Sequence, residues 1–252
     1  MVSGENSTYR VHAVVVAGGA GRRMGGDVPK QYLTLADRNG HEAPILAWTV
    51  YAFSRSRIID EVILVVPESD LGIVAEEIVD EYGLDGVTRI VAGGATRQES
   101  TTAGVAVCGT NVDDDIVLVH DGVRPFVSDD IIARSAQIAA ELGSALVAVP
   151  VTDTIKRVDS SGLVMATILR DELRAAQTPQ AFRLGVLRNA LDRATRDGIQ
   201  GTDESMLVER LGVHVPIVDG SAENFKITTP ADLDRARALA EQREGPRRRD
   251  TR

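Results

Sequence analysis

The stretch VVVAGGAGRRMGGDVPKQY, residues Val14–Tyr32, decides the fold. It begins with an apolar, β-branched run of the kind that forms a buried strand, and it breaks directly into a glycine-rich loop. Glycines permit positive φ and a close approach of backbone N–H groups to a ligand, and successive N–H groups form a concave anion site. With two arginines in the loop and Lys30 just after it, the stretch predicts a polyphosphate-binding loop. The simpler alternative is a glycine-rich turn with surface arginines.

Two common phosphate-binding motifs do not fit this loop. The ATP-type loop requires Lys and then Ser or Thr directly after a glycine, whereas Lys30 follows Pro29. The dinucleotide fingerprint G-x-G-x-x-G would start at Gly19 and Gly21 and would place its third glycine at Met24. The sequence therefore disfavours a hydride-transfer enzyme.

Composition limits the classes of function. The chain has 252 residues, 43% of them hydrophobic and 26% charged, with a formal net charge of -9. An acidic chain is a poor candidate for general nucleic-acid binding. The single cysteine, Cys108, cannot form an internal disulfide and fits a reducing compartment. No apolar run approaches the roughly 20 residues of a membrane span, and the first ten residues lack the apolar core of a signal peptide. We expect a cytoplasmic protein that binds neither nucleic acid nor membrane.

Short apolar runs alternate with helical patterns from residue 11 to residue 150. Ser128 and Gly143 bracket one of these helices as N-cap and C-terminal glycine. Alternation of strands and helices predicts an α/β fold with a doubly wound, mostly parallel sheet. The predicted strands are HAVVVAG, EVILVVPE, VTRIVAGG, DIVLVHDG and SALVAVPV, followed late in the chain by VHVPIVDG and ENFKIT.

The alternation stops at Val151. Two extended runs flank the turn-like cluster DSSG, which predicts a protruding β-hairpin arm at about residues 151–172. An isolated hairpin is marginal in water, so we expect the arm to lean on a second copy of the chain. The expected organisation is a disordered N-terminal tail (1–10), a single domain (11–242) that carries the arm, and a disordered basic tail (243–252).

Two further strand ends resemble parts of a nucleotide site. AGGATRQES, residues 92–100, is a second glycine turn that leads into a helix, whose N-terminus can face an anion. VLVHDGVRP places Asp121 directly after an apolar strand, where a carboxylate is well placed to hold Mg²⁺. The alternatives are a tight strand-to-helix turn and, for Asp121, a helix cap or a loop salt bridge. His120 is interpreted as a structural residue.

Seven motifs in order carry a resemblance to a known family. They are AGGAGRRMGGDVPKQYL, GGATRQES, VHDGVRPF, DTIKR, QTPQAF, GTDES and ENFKITTPADL. Together they resemble the sugar-alcohol-phosphate cytidylyltransferases, and most closely the 2-C-methyl-D-erythritol 4-phosphate cytidylyltransferase family of the non-mevalonate isoprenoid route. The resemblance covers about residues 11–240. It implies a Rossmann-like nucleotidyltransferase that uses CTP and Mg²⁺, releases pyrophosphate and forms a homodimer through the arm.

The resemblance also implies roles for individual residues. Arg23 and Lys30 would stabilise charge on the CTP phosphates, and Lys226 would bridge the two reacting phosphates. Arg170 would position the incoming phosphate, and Thr154 and Thr178 would bind the polyol. The nucleotide would be held by Ala17, Gly18, Gly19, Gly21, Gly94, Ser100 and Asp121, with Asp121 as the metal ligand. Glu223 is a further candidate near the metal.

Some departures leave the acceptor open. The AGG of residues 17–19, GGDVPKQ and HDGVRPF lean toward a sister family that makes CDP-ribitol from ribitol 5-phosphate, whereas DTIKRV and AAQTPQAFRL lean toward methylerythritol phosphate. A third reading is a non-catalytic nucleotide-binding protein on the same fold. Arg23, Lys30 and Lys226 together argue against it, because binding alone does not require three such cations.

Overall fold

The computed structural model describes residues 9–18, 28–109 and 113–249. Most of the glycine-rich loop, including the predicted site residues Gly19, Gly21 and Arg23, lies outside these ranges. Most of the predicted N-terminal tail does so as well. Within the described ranges no helix combines the length and apolarity needed to cross a membrane.

A seven-stranded sheet forms the centre of the fold. Its strands are β1 (Val11–Val16), β4 (Glu61–Val66), β5 (Val87–Ala92), β6 (Ile116–Asp121), β7 (Ser144–Pro150), β10 (Arg174–Arg183) and β11 (Ile217–Asp219), and a separate two-stranded sheet contains β2 (Thr34–Ala36) and β3 (Glu42–Pro44). The order in the large sheet is β11-β7-β10-β6-β1-β4-β5. Strand β10 runs antiparallel to both of its neighbours, and the other pairs are parallel. This confirms the predicted mostly parallel sheet.

Helices cover both faces of this sheet. Every residue of β1 is buried, and its alternate residues enter two separate apolar cores. The helices are α1 (Ile45–Ser54), α2 (Leu71–Val74, continued by a π-helical turn over Ala75–Asp80), α3 (Arg97–Val107), α4 (Asp129–Leu142), α5 (Leu184–Asp197), α6 (Glu204–Glu209) and α7 (Pro230–Ala240). Helices α1, α4 and α7 pack on one face of the sheet, and α3 and α5 on the other. Because both faces are covered, the central strands are continuous apolar runs in the sequence.

Local capping explains where the helices begin and end. The Ser128 side chain accepts from the N–H of Ile131, and Gly143 ends α4 with a φ of 92°. Thr96 and Thr229 form capping boxes at α3 and α7. Each cap satisfies backbone groups that a helix leaves unpaired at its ends.

The predicted arm is present as an antiparallel hairpin of β8 (Ile155–Val158) and β9 (Val164–Ile168). It leaves the sheet between β7 and β10. Its apolar side chains face outward, and Leu163 and Leu169 are 67% and 72% exposed. The arm therefore has no apolar core of its own.

Two predictions near the C-terminus need correction. ENFKIT is not a strand: residues 223–228 form a loop. Within the described residues a single backbone hydrogen bond, from Ile227 N–H to Val123 O, joins it to the loop after β6, which is too few for a strand pairing. The segment 243–249, expected to be part of a disordered tail, follows the surface of the domain, and Gly245 and Pro246 are buried.

Candidate active site

The sheet order creates a crevice between the ends of β1 and β6. From β1 the chain proceeds to β4 on one side, and it returns to β6 on the other side. Such a switch in direction opens a crevice at the carboxyl ends of the strands, where ligands of doubly wound proteins bind. Gly122 lies against Ala17 there, since a Cβ at Gly122 would be 2.8 Å from the Ala17 Cβ. Ala17, where the predicted loop begins, and Asp121 are thus at one edge of the sheet.

The second glycine turn faces the same crevice. Ser100 Oγ accepts from Gly94 N–H at 3.2 Å and donates to Thr96 O at 2.9 Å. A Cβ at Gly18 would lie 3.7 Å from this oxygen, and one at Gly94 would overlap the side chain of Glu99. Gly18, Gly94 and Ser100, all predicted nucleotide contacts, are therefore brought together.

Asp121 is at the centre of a buried charge cluster. Its Oδ1 lies 3.2 Å from Arg97 Nε, and its Oδ2 lies 3.2 Å from Arg124 Nε and 3.0 Å from Lys226 Nζ. The Asp121 side chain is only 9% exposed. Burial alone would raise the pKa of Asp121, but the charges of Arg97, Lys226 and Arg124 outweigh burial and hold that pKa below the usual range of a carboxyl. Asp121 is therefore an anion at neutral pH.

Glu204 fixes the position of Arg97. Both Glu204 oxygens accept from Arg97 Nη1, at 2.6 and 2.7 Å, and Oε1 also accepts from Thr101 Oγ1 at 2.8 Å. Burial would lower the pKa of Arg97, but the carboxylates of Glu204 and Asp121 raise it well above the usual value. Three cations face two carboxylates in this cluster, so one positive charge is left over to attract an anionic ligand.

A hydrogen-bonded chain supports Asp121 from the sheet. Thr178 Oγ1 accepts from the N–H of Asp121 at 3.1 Å and donates to His120 Nδ1 at 3.1 Å. His120 Nε2 then donates to Arg124 O at 3.1 Å. Burial lowers the pKa of His120 to about 4, so the ring is neutral and fits this pattern. His120 is structural, as expected. The hydroxyl of Thr178 is buried, and its proton is already donated to His120, so toward a polyol it could act only as an acceptor.

Lys226 is held by an irregular loop. Asn224, fully buried, donates to Thr178 O at 2.7 Å, and Arg124 Nη1 donates to Asn224 O at 2.8 Å. Lys30 Nζ donates to Ile227 O at 3.1 Å. Lys226 is part of this loop and Lys30 is hydrogen-bonded to it, although the two lysines are more than 190 residues apart in sequence.

The predicted residues of the arm lie apart from this cluster. Arg170 Nη1 donates to Thr152 O at 2.6 Å, so its contact is within the arm. Thr154 is exposed. Glu223, considered a neighbour of the metal, pairs with Arg243 on the outer side of the loop.

Sequence reasoning missed Arg97, Arg124, Glu204 and Asn224. All four occur in the motifs quoted above, so a signal was present. Their contacts could not be predicted from the sequence. Arg97 and Glu204, for example, are 107 residues apart, and only the order of the strands in the sheet brings them together.

The surroundings of Asp121 limit how it could hold Mg²⁺. The described residues contain no group of three or more His, Cys, Asp or Glu side chains able to bind a metal. A carboxylate has about four lone-pair directions, and three of those of Asp121 already face cations. Mg²⁺ in nucleotide sites takes one or two carboxylates and completes its shell with phosphates and water. Asp121 fits that arrangement only when phosphates supply the other ligands.

This fold and site define a nucleotide-binding class of α/β protein, with a cationic cluster at the switch point of the sheet. The statistical model of one family, described as 2-C-methyl-D-erythritol 4-phosphate cytidylyltransferase, matches residues 11–242. The chain belongs to the 2-C-methyl-D-erythritol 4-phosphate cytidylyltransferase family.

Individual relatives agree with this assignment. The chain is 46% identical to the cytidylyltransferase of that name from Geobacter metallireducens, over 92% of this chain and 98% of the relative. It is 44% identical to that from Syntrophus aciditrophicus, over 94% of this chain and 98% of the relative. The crystal structure of 4-diphosphocytidyl-2C-methyl-D-erythritol synthase from Anaerococcus prevotii matches with a TM-score of 0.78 at 29% identity, covering 93% and 97% of the two chains. The Thermus thermophilus cytidylyltransferase matches with a TM-score of 0.72 at 34% identity, covering 92% and 98%.

These comparisons decide among the three readings of the sequence. The chain is a CTP-dependent nucleotidyltransferase, which excludes the non-catalytic reading. They favour methylerythritol phosphate over ribitol phosphate as the acceptor. The AGG at residues 17–19 was therefore a misleading indicator of the acceptor.

Proposed function

We propose that this chain transfers the cytidylyl group of CTP to 2-C-methyl-D-erythritol 4-phosphate, by aligning two anions over the Asp121 cluster. A phosphate oxygen of the acceptor forms a bond to the α-phosphorus, and the bond from that phosphorus to the pyrophosphate oxygen breaks. The products are CDP-methylerythritol and pyrophosphate. The observation that carries the proposal is the cationic cluster around Asp121 at the crevice of the sheet, in a chain of this family.

The nucleophile needs no general base. The second pKa of a phosphate monoester is about 6, so it is largely ionised near neutral pH. The protein must instead bring two anions together and neutralise the charge that builds up at phosphorus. His120 is neutral and hydrogen-bonded on both ring nitrogens, and Cys108 is buried, which raises its pKa to about 12. Both observations fit a site in which no protein side chain acts as general base or nucleophile.

The cations would divide this work. Lys226, whose side chain is 36% exposed, would exchange its contact with Asp121 for the two reacting phosphates. Lys30, which is hydrogen-bonded to the same loop, and Arg23 would stabilise the charge on the CTP phosphates. Arg97 and Arg124 would remain on Asp121 and keep it from repelling the nucleotide.

The glycine-lined part of the crevice would hold the nucleoside. Ala17, Gly18, Gly19 and Gly21 would wrap the triphosphate. Gly94 and Ser100 would contact ribose and cytosine, with the backbone of Gly94 oriented by Ser100 Oγ. Mg²⁺ would arrive on the triphosphate with Asp121 as its protein carboxylate, and when bound it would neutralise phosphate charge.

The arm would complete the site of a second subunit. Its exposed apolar side chains have no partner within the described part of this chain's fold, as expected for a surface buried in a homodimer. Arg170 and Thr154, which lie apart from the Asp121 cluster, would then contact the acceptor in the partner's site. The single cysteine fits a cytoplasmic enzyme.

The test is pyrophosphate release with CTP and Mg²⁺, in separate reactions with methylerythritol 4-phosphate and ribitol 5-phosphate. Turnover with the first and not with the second is expected. An Arg170→Ala subunit mixed with a Lys226→Ala subunit should recover part of the activity, because one site of the mixed dimer would be intact. Turnover with ribitol 5-phosphate alone would refute the acceptor, and no recovery in a verified mixed dimer would refute the role of the arm.

A further inference from the structure

The segment 243–249 is attached to the domain at several points. Arg38 N–H donates to Arg243 O at 2.9 Å, and Arg38 pairs with Glu244. Gly245 lies against the ring of Trp48 so closely that a Cβ there would overlap it. At the far end, Arg249 N–H donates to Glu81 O at 2.7 Å. The segment lies beyond residue 242, where the match to the family ends.

Arg243 connects this segment to the loop that carries Lys226. Its guanidinium pairs with Glu223 and lies 5.1 Å from the centre of the Phe126 ring. The Arg243 side chain is 33% exposed and that of Glu223 is 54% exposed, so the ion pair is accessible to solvent, whereas the Phe126 ring is buried. Phe126 follows Arg124 in the loop after β6. Arg243 therefore touches both loops that supply cations to Asp121.

The loop that carries Lys226 depends on such side-chain contacts. It has no helix or strand hydrogen bonding to define its path. The centre of the Phe225 ring lies 6.2 Å from the centre of the Phe126 ring and 4.0 Å from the guanidinium carbon of Arg235. Asn224 fixes the loop from the inner side through Thr178 O. On the outer side, Arg243 holds it through Glu223.

We propose that Arg243 is a positioning residue for the transfer reaction. Through its contacts with Glu223 and Phe126, it holds the loop that carries Lys226 in position beside Asp121. The segment 243–249 keeps Arg243 in place through Arg38 and Trp48. The inference rests on the proposed role of Lys226, but not on the identity of the acceptor. It gives a function to the basic C-terminal segment, which lies outside the residues matched by the family model.

The position of Lys226 can be measured without turnover. The chain has three lysines, Lys30, Lys156 and Lys226, so reductive ¹³C-methylation gives three lysine signals in an NMR spectrum of the free protein. A Lys226→Arg variant assigns one of them. In Arg243→Ala the Lys226 signal should move toward that of an exposed lysine, while the signal of Lys156 on the arm stays in place. Arg249→Ala, at the far end of the segment, is the matched control and should move neither signal.

Kinetics supply the second measurement. Arg243→Ala should lower kcat about tenfold and leave the KM for CTP within about twofold, because misplacing one cation affects the transition state more than nucleotide binding. Arg243→Lys should restore most of the activity, and Arg249→Ala should match wild type. Glu223→Gln removes one of the two contacts of Arg243 and should lower kcat in the same direction. The double variant should be no worse than Arg243→Ala alone, because that variant has already lost the contact with Glu223.

The outcomes separate the two proposals. A Lys226 signal and a kcat that both stay unchanged in Arg243→Ala would refute the positioning role. Additive losses in the double variant would refute it as well, since the two residues would act independently. A shifted Lys226 signal in a protein whose wild type turns over neither acceptor would support the positioning role and overturn the proposed reaction.

Discussion

Replacing Glu204 by Gln tests how much the buried ion pair between Glu204 and Arg97 contributes to stability and activity. Glu204 is 2% exposed and takes two contacts from Arg97 and one from Thr101. Gln has nearly the same shape but carries one acceptor oxygen instead of two and no charge. Arg97 would keep its contact with Asp121 and lose its stronger partner.

The cost can be worked from these contacts. A hydrogen bond to a charged group is worth about 1.5 to 3 kcal/mol, and breaking a fully buried ion pair costs about 3 to 5 kcal/mol. The Arg97 side chain is 29% exposed, and water can replace part of what is lost. We therefore expect Glu204→Gln to lower the free energy of unfolding by about 2 kcal/mol. Since Arg97 would then be fixed by Asp121 alone and positioned less precisely, kcat/KM should fall about tenfold.

Urea unfolding and steady-state pyrophosphate release measure the two effects. Glu209→Gln, an exposed change at the end of the same helix, is the control and should stay within about 0.5 kcal/mol of wild type. If Glu204→Gln unfolds like this control and keeps wild-type kcat/KM, the Arg97–Glu204 pair contributes nothing, and the account of the cluster is wrong.

Three further predictions concern other parts of the site. The pKa of His120 lies at about 4 in the folded chain, against the ordinary histidine value of 6.5, because the ring is buried. The unfolded chain therefore binds more protons between these two pH values. The free energy of unfolding should therefore fall by up to about 3 kcal/mol from neutral pH to pH 4, and urea titrations should give a shallower slope for His120→Gln. Gly94→Ala should weaken CTP binding in calorimetry by at least about tenfold, because its Cβ would overlap Glu99; wild-type affinity would contradict the site. Lys30→Ala should lose at least about a hundredfold in kcat while retaining a cooperative unfolding transition, and near-normal turnover would contradict its role.

The sequence by itself determined the layers of this fold. Strand runs such as that of β1 are apolar at every position because both faces are covered, and this can be read without knowing the partners. Ser128 and Gly143 marked the ends of α4 through contacts within a few residues. The order of seven motifs was enough to indicate the family, which the comparisons confirmed. These features depend on short-range rules, so a single chain displays them.

The tertiary structure decided how the site is assembled. Arg97 and Glu204 lie in separate motifs, and they meet because α3 and α6 are brought together on one side of the sheet. Lys226 was expected on a strand, but it lies on a loop whose path is set by Asn224 inside and Arg243 outside. The basic C-terminal segment looked unstructured because few of its residues are apolar, and its attachment depends on Trp48 and Arg38 far earlier in the chain. Ion pairs and loop contacts of this kind depend on which strands are neighbours, and local sequence carries no record of that order.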